Sequence, residues 1–215
     1  MLTGISLKDK TKLNEIRKNI GIVFQNPENQ IIFDKVYDDL KFGLQNLNFS
    51  KDEIERNIDE ALKSVNMLKY KNSSCFELSL GQKQKIAIAG CLAIKPKILI
   101  LDEPTTMLDP ISKNQVYNIL QNLKQSGITI IYLTNFIDEI LLCDKTIIFE
   151  NGKIKKIFEK KDLLNNLDFI DSLEFPGIIS LVSSLHKFGI DINLENLQID
   201  ELTKKIVENK IQKNN

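Results

Sequence analysis

The chain has 215 residues, 42% of them hydrophobic and 27% charged, enough to bury a core as one domain or a domain with an appendage. Basic and acidic residues balance at 29 each, which argues against a general nucleic-acid binder. Cys75, Cys91 and Cys143 are scattered with no CxxC pair, which argues against a zinc site and for reduced thiols in a cytosolic protein. No run reaches the ~18 apolar residues of a membrane span, and MLTGISLKDK lacks a secretory apolar region, so a soluble chain is expected.

In chain order, IGIVF at 20–24 is a short apolar run ending at Gln25, as in a buried strand, and NPENQ after it is a turn. Over 51–69, Ile54, Ile58, Ala61, Leu62, Val65 and Leu68 recur at helical spacing. Ser50 supplies the N-cap and Glu53 completes a capping box. A further helix is expected over 82–94, with small residues for close packing. KILIL at 97–101 is a second buried strand, 111–125 an amphipathic helix stopped at Gly127, and ITIIYLT at 128–134 a third strand. Apolar strands alternating with helix predict a parallel sheet covered on both faces, an α/β fold. Asn151-Gly152 between two alternating runs predicts a type I′ hairpin. From about 161 short helices are expected, with a break at Phe175-Pro176 and a polar end.

The second strand runs directly into Asp102, Glu103 and Pro104. Carboxylates at the C-terminal end of a parallel strand stand where open α/β sheets bind ligands. Asp102 suits Mg²⁺ held through water, and Glu103 suits polarising an attacking water in phosphoryl transfer. A strand closing on a capped turn is the plainer alternative. LSLGQKQKIAIAG sets Ser79, Gly81 and Gln82 at a helix start, where free N–H groups and the positive dipole end favour phosphate. Ser79 adds a hydroxyl, and Gly81 lets backbone approach an oxygen closely. The alternative is an ordinary serine cap.

Together these stretches resemble the ATP-binding cassette (ABC) family. LSLGQ is similar to the family signature, ILILDEP to its Walker B strand, Thr106-Met107-Leu108-Asp109 to its D-loop, and Gln25 to its Q-loop glutamine. FQNPENQIIF with VYDDLKFGLQNL, and the tail FPGIISLVSSLHKFGIDINLENLQIDELTKKI, resemble the ATPases of energy-coupling factor (ECF) importers, including the cobalt and nickel branch. The resemblance implies a partial P-loop (RecA-like) ATPase core with a parallel sheet, a helical subdomain before the signature, and a small helical C-terminal extension. It divides the chain into 1–30, core up to the Q-loop; 31–77, helical subdomain; 78–160, core with signature, Walker B, D-loop and switch strand; and 161–215, the extension.

The same resemblance implies an ATPase subunit that binds ATP and Mg²⁺ and pairs head-to-tail with a second ATPase subunit. It would sit on the cytoplasmic face of the membrane beneath a transmembrane coupling subunit, with no nucleic acid, serving uptake of a transition-metal ion or vitamin. Gln25, Asp102 and Glu103 would face Mg²⁺ and the water, and Asn135 occupies the switch position. Ser79, Gly81 and Gln82 would reach across to the partner's ATP, with Asp109 in the D-loop. The stretch 25–42 would receive a partner helix, with Phe33 as its anchor among Ile31, Ile32, Val36, Leu40 and Phe42.

Two family elements are not found. No G-x-x-x-x-G-K-[ST] loop occurs, the one Gly-Lys pair being Gly152-Lys153 followed by Ile154. The N-terminal part of the cassette is therefore expected to be missing. The third strand ends IIYLTN, with Asn135 where the family has histidine; the sole histidine, His186, falls in the extension. Asparagine can donate a hydrogen bond but cannot carry imidazolium charge. Leu80 replaces the first glycine of the signature. Weak ATP binding and no autonomous hydrolysis are the expectation. Two readings stay open: an ECF-type ATPase subunit, or a degenerate or truncated cassette that complements a complete partner or has no function. ABC ATPases of chromosome maintenance fit poorly, because 26–77 is short and lacks sustained heptads.

Overall fold

The computed structural model describes residues 13–162 together with 181, 184, 185 and 188. The chain forms two compact units, 1–133 and 134–215. The C-terminal extension expected over 161–215, with His186, lies almost wholly outside the described residues.

The first unit is built on a three-stranded parallel sheet in the order β1 (Ile20–Val23), β2 (Ile98–Asp102), β3 (Thr129–Leu133). Val23 pairs with Leu101 and Asp102 with Leu133, so all three strands finish at one edge. Asp102 closes β2 at that end, Glu103 follows it, and Gln25 stands two residues beyond β1. Helix α1 (Leu13–Asn19) leads into β1. Between β1 and β2 come α2 (Val36–Asn46), α3 (Lys51–Ser64) and α4 (Leu80–Ala93), and α5 (Pro110–Gln125) joins β2 to β3.

Helix α3 starts where the spacing predicts, with Ile54, Ile58, Ala61 and Leu62 buried, but ends at Ser64 rather than 69, because Val65 closes it, Asn66 takes a positive φ of 57° and Leu68 falls in a separate 3-10 turn. Its capping box closes as expected: the Ser50 N–H donates to Glu53 Oε2 at 2.8 Å, and Ser50 Oγ accepts from the Glu53 N–H at 3.4 Å. Helix α4 starts two residues earlier than predicted, on Ser79 as N-cap. Ile86, Ala87, Ile88 and Ala89 are buried in succession, because α4 lies against β1 while α2 and α3 pack on its other sides. Helices α2, α3 and α4 thus share one continuous core with the sheet, containing Leu40, Leu44, Ile58, Leu62, Ile86, Leu99 and Leu101.

The expectation of a sheet covered on both faces is corrected. Val23, Leu99 and Leu101 point into that core and are fully buried. On the alternate positions, Ile22, Ile131 and Leu133 are 46%, 46% and 45% exposed. The buried side chains of α2 to α5 join a core on the first face only, so the period-2 alternation of the strands leaves the other set of side chains without a helical layer among the described residues.

In the second unit, β4 (Lys145–Glu150) and β5 (Lys153–Glu159) form an antiparallel hairpin. Asn151 and Gly152 both take positive φ, 51° and 73°, as the predicted type I′ turn requires. Among the described residues no helix is long and apolar enough to cross a membrane. Cys75 and Cys91 are buried free thiols and Cys143 is half-buried, in keeping with the absence of a CxxC pair.

Candidate functional site

Asp102 is the last residue of β2 and is exposed at the strand edge. Glu103 follows with φ of +44°, a left-handed conformation uncommon for a residue with a Cβ. Strain of this kind, of order 1–3 kcal/mol, persists where surrounding contacts impose it. Here the Glu103 N–H donates to Leu133 O of β3 at 3.0 Å, and Glu103 Oε2 accepts from Gln25 Nε2 at 3.0 Å and from Thr106 Oγ1 at 3.2 Å. The backbone kink turns the carboxylate toward the Q-loop, where Gln25 and Thr106 fix its orientation. Gln25 and Glu103, 78 residues apart in sequence, are thus joined at the strand ends, with Asp102 the residue before Glu103.

The donor set suits a hard cation. Asp102 offers a carboxylate, and Gln25 has its Oε1 left over once Nε2 is given to Glu103. Mg²⁺ takes oxygen ligands, through one or two carboxylates plus substrate phosphates. No cluster of three or more His, Cys, Asp or Glu occurs among the described residues, so an all-protein metal cage is not what this edge offers.

The signature stretch folds as a self-contained cap. Ser79 Oγ accepts from the Gln82 N–H at 3.3 Å, and the Ser79 N–H donates to Gln82 Oε1 at 2.8 Å. Gln82 Nε2 then donates to the Tyr70 hydroxyl at 2.9 Å. Ser79 is exposed and Leu80 opens the helix as its first residue. Gly81 is buried, and the structure supplies a packing reason for it: a Cβ there would meet Ser112 Cβ at 2.7 Å. Asp109 caps α5, accepting from the Ile111 and Ser112 N–H groups at 2.9 and 3.0 Å. The Ser112 hydroxyl and these backbone donors hold its carboxyl below the usual range. Asn135 follows β3 by two residues and belongs to the second unit.

Sequence reasoning did not single out Thr106 as a partner of Glu103, nor Gln30, Gln84 and Tyr70 around the Q-loop and signature. The polar run NPENQ carried a signal for Gln30 only as a turn.

A profile of the ABC transporter family matches residues 1–106. The energy-coupling factor transporter ATP-binding protein EcfA1 of Clostridium novyi is 40% identical over 208 residues, covering 94% of this chain and 73% of that protein. The chain belongs to the ABC family, in its ECF ATP-binding branch. The EcfA1 of Fusobacterium nucleatum is 38% identical over 214 residues, covering 97% and 77%. Among solved structures, this ECF cassette is similar to cbiO1 of Clostridium perfringens, described as part of the ABC transporter complex cbiONQ. The TM-score is 0.66 at 35% identity, over 80% of this chain and 70% of that one. It is also similar to a dimeric cassette in a post-hydrolysis state bound to ADP and Pi, with a TM-score of 0.61 at 26% identity, over 72% and 68%. By family this is an ABC-type ATPase subunit.

Proposed function

We propose that this cassette turns over ATP at the edge formed by Gln25, Asp102 and Glu103, as one half of a paired ATPase driving an ECF importer. The observation that carries the reading is the 3.0 Å hydrogen bond from Gln25 Nε2 to Glu103 Oε2. It holds the Glu103 carboxylate in a fixed orientation at the strand ends, as a group that must accept a proton from water needs to be. Mg²⁺, when bound through Asp102 and Gln25, supplies charge neutralisation for the phosphates. Glu103 holds the attacking water and takes its proton; Gln25 and Thr106 keep the carboxylate in place. Ser79, Gly81 and Gln82 present the α4 N-terminus to the nucleotide of a second ATPase subunit, with Asp109 and the D-loop beside them. Asn135 is the candidate donor at the switch position.

No G-x-x-x-x-G-K-[ST] loop occurs in the 215 residues, so nothing in them supplies the usual phosphate cradle. The transported substrate is a transition-metal ion or vitamin, selected by a membrane subunit, and the cassette works at the cytoplasmic face of the membrane through that partner. Ile32, Phe33 and Phe42 support a partner surface: they are 69%, 37% and 38% exposed, with the two phenyl rings 5.2 Å apart. Val36 and Leu40, from the same stretch, are core. Asp39 Oδ1 accepts from the Ile32 and Phe33 N–H groups at 2.7 and 3.1 Å and fixes the segment that presents these rings.

The test is Glu103→Gln in the assembled transporter. Loss of a positioned base lowers turnover about 10²- to 10⁴-fold while nucleotide affinity is retained. Turnover within twofold of the parent would refute the assignment of Glu103.

A further inference from the structure

The Gln25 side chain can meet Glu103 only if the backbone entering Gln25 is fixed, and Phe24, the residue before it, lies just past the end of β1. Both peptide groups of Phe24 are held by glutamine side chains. Its N–H donates to Gln30 Oε1 at 3.1 Å, and its carbonyl accepts from Gln84 Nε2 at 3.5 Å, a long bond. Gln30 Nε2 donates back to Ile22 O at 3.3 Å. One primary amide thus bonds the N–H of residue 24 and the C=O of residue 22, as a neighbouring strand would, and extends the β1 ladder past its last paired residue.

Both glutamines also tie this backbone to the signature helix. Gln84 lies on α4, five residues after the Ser79 cap, and Gln30 Nε2 reaches Ala87 O and Cys91 Sγ, each at 3.5 Å. Cys91 Sγ donates in turn to Ile22 O at 3.2 Å. The strand and helix touch with no clearance: a Cβ on Gly21 would stand 2.8 Å from Cys91 Cβ. Gln84 is 0% exposed, and its Oε1 has no hydrogen-bond partner. The Phe24 carbonyl can only accept, so the amide nitrogen must face it and the oxygen is the atom left unpaired. An apolar side chain of the same length would avoid that penalty. A glutamine at this position is explained by what its nitrogen grips.

We propose that Gln30 and Gln84 are positioning residues that clamp the Phe24 peptide, so that Gln25 engages Glu103 only in register with the signature helix. The consequence is a link between the two halves of the chain's chemistry. Movement of α4 is transmitted through Gln84 to Phe24, and from there to the Gln25–Glu103 contact. The proposal rests on the reading of Gln25 and Glu103 given above.

Three variants of the full chain test it, with Gln25→Ala as the reference. Gln84→Met removes the grip and the unpaired acceptor together, so its melting temperature is expected to stay level or rise. In the assembled transporter its kcat is expected to fall about tenfold or more, with KM for ATP unchanged. Gln30→Ala is expected to speed hydrogen exchange of the Phe24 amide about tenfold, the loss of one net hydrogen bond, while amides of β2 hold their rates. Gln30→Glu keeps the acceptor for Phe24 and is expected to restore slow exchange. A lowered melting temperature in Gln84→Met would make Gln84 a packing residue and overturn its assignment. Unchanged Phe24 exchange in Gln30→Ala, or parental kcat in Gln84→Met where Gln25→Ala has lost turnover, overturns the clamp. If Gln25→Ala itself keeps parental turnover, the site reading has failed, and normal Phe24 exchange in Gln30→Ala then separately decides against the clamp.

Discussion

Replacing Gly81 by alanine isolates the contact between the signature helix and α5. The new Cβ would stand 2.7 Å from Ser112 Cβ, against an optimum carbon separation of about 3.5–4.0 Å. Rotating the Ser112 hydroxyl does not move its Cβ, so the two helix starts must separate by roughly 1 Å. Overpacking of this kind costs about 1–3 kcal/mol, offset by up to ~1 kcal/mol from replacing glycine in a helix. The expected net loss is about 1–2 kcal/mol, or roughly 2–8 °C in Tm for a chain of this size. Gly43 in α2 is the control, since a Cβ there meets nothing within 4 Å. Gly43→Ala should stabilise by about 0.5–1 kcal/mol. The assay is urea unfolding followed by circular dichroism on Gly81→Ala, Ser112→Gly and the double variant. Ser112→Gly should recover about 1 kcal/mol or more as a coupling energy. A Gly81→Ala chain as stable as Gly43→Ala, or a penalty that persists without the Ser112 side chain, would refute the packing argument.

Ser79→Ala opens the α4 capping box and is expected to cost ~1 kcal/mol, read as a lower urea midpoint at unchanged slope. Burial raises the Cys91 and Cys75 thiols to about 11, so each is favoured neutral in the fold. Their contribution is complete below the unfolded thiol value of about 8.5 and is lost as pH rises toward 11, so stability measured at stepped pH is expected to fall across that window, less steeply in Cys91→Ala. Phe33→Ala is expected to weaken co-purification with a transmembrane partner while Tm moves by no more than about 2 °C; a large fall in Tm would place Phe33 in the core.

Strand ends are legible because apolar runs stop at charged or amide residues, and the start of α3 because Ser-x-x-Glu names its own hydrogen bonds; the Ser79–Gln82 box that starts α4 two residues before the predicted position was not read. The hairpin was legible because Asn-Gly fits two consecutive positive φ angles. The open sheet face was not, since an apolar strand reads the same whether or not a layer covers its second side. Gly81 read as a place for an oxygen to approach, because its true neighbour, Ser112, is 31 positions away and carries no mark of the contact. Gln84 was hidden for the same reason: it grips a carbonyl 60 residues distant. Glu103 was found from its place after an apolar strand, but its left-handed backbone and its Thr106 partner belong to the fold alone.

The two capping boxes differ in one group, and that difference separates their response to acid. Helix α3 is closed by a carboxylate, Glu53, which the Ser50 backbone and hydroxyl hold below the usual range. Its contribution is present above the ordinary carboxylate value and fades as pH falls through the lowered one. Helix α4 is closed by Gln82, an amide with no proton to gain. Once pH falls below the ordinary carboxylate range the first turn of α3 therefore loosens while the first turn of α4 keeps its geometry. Of the two helix starts, the one carrying the signature is insulated from the acidity of its surroundings.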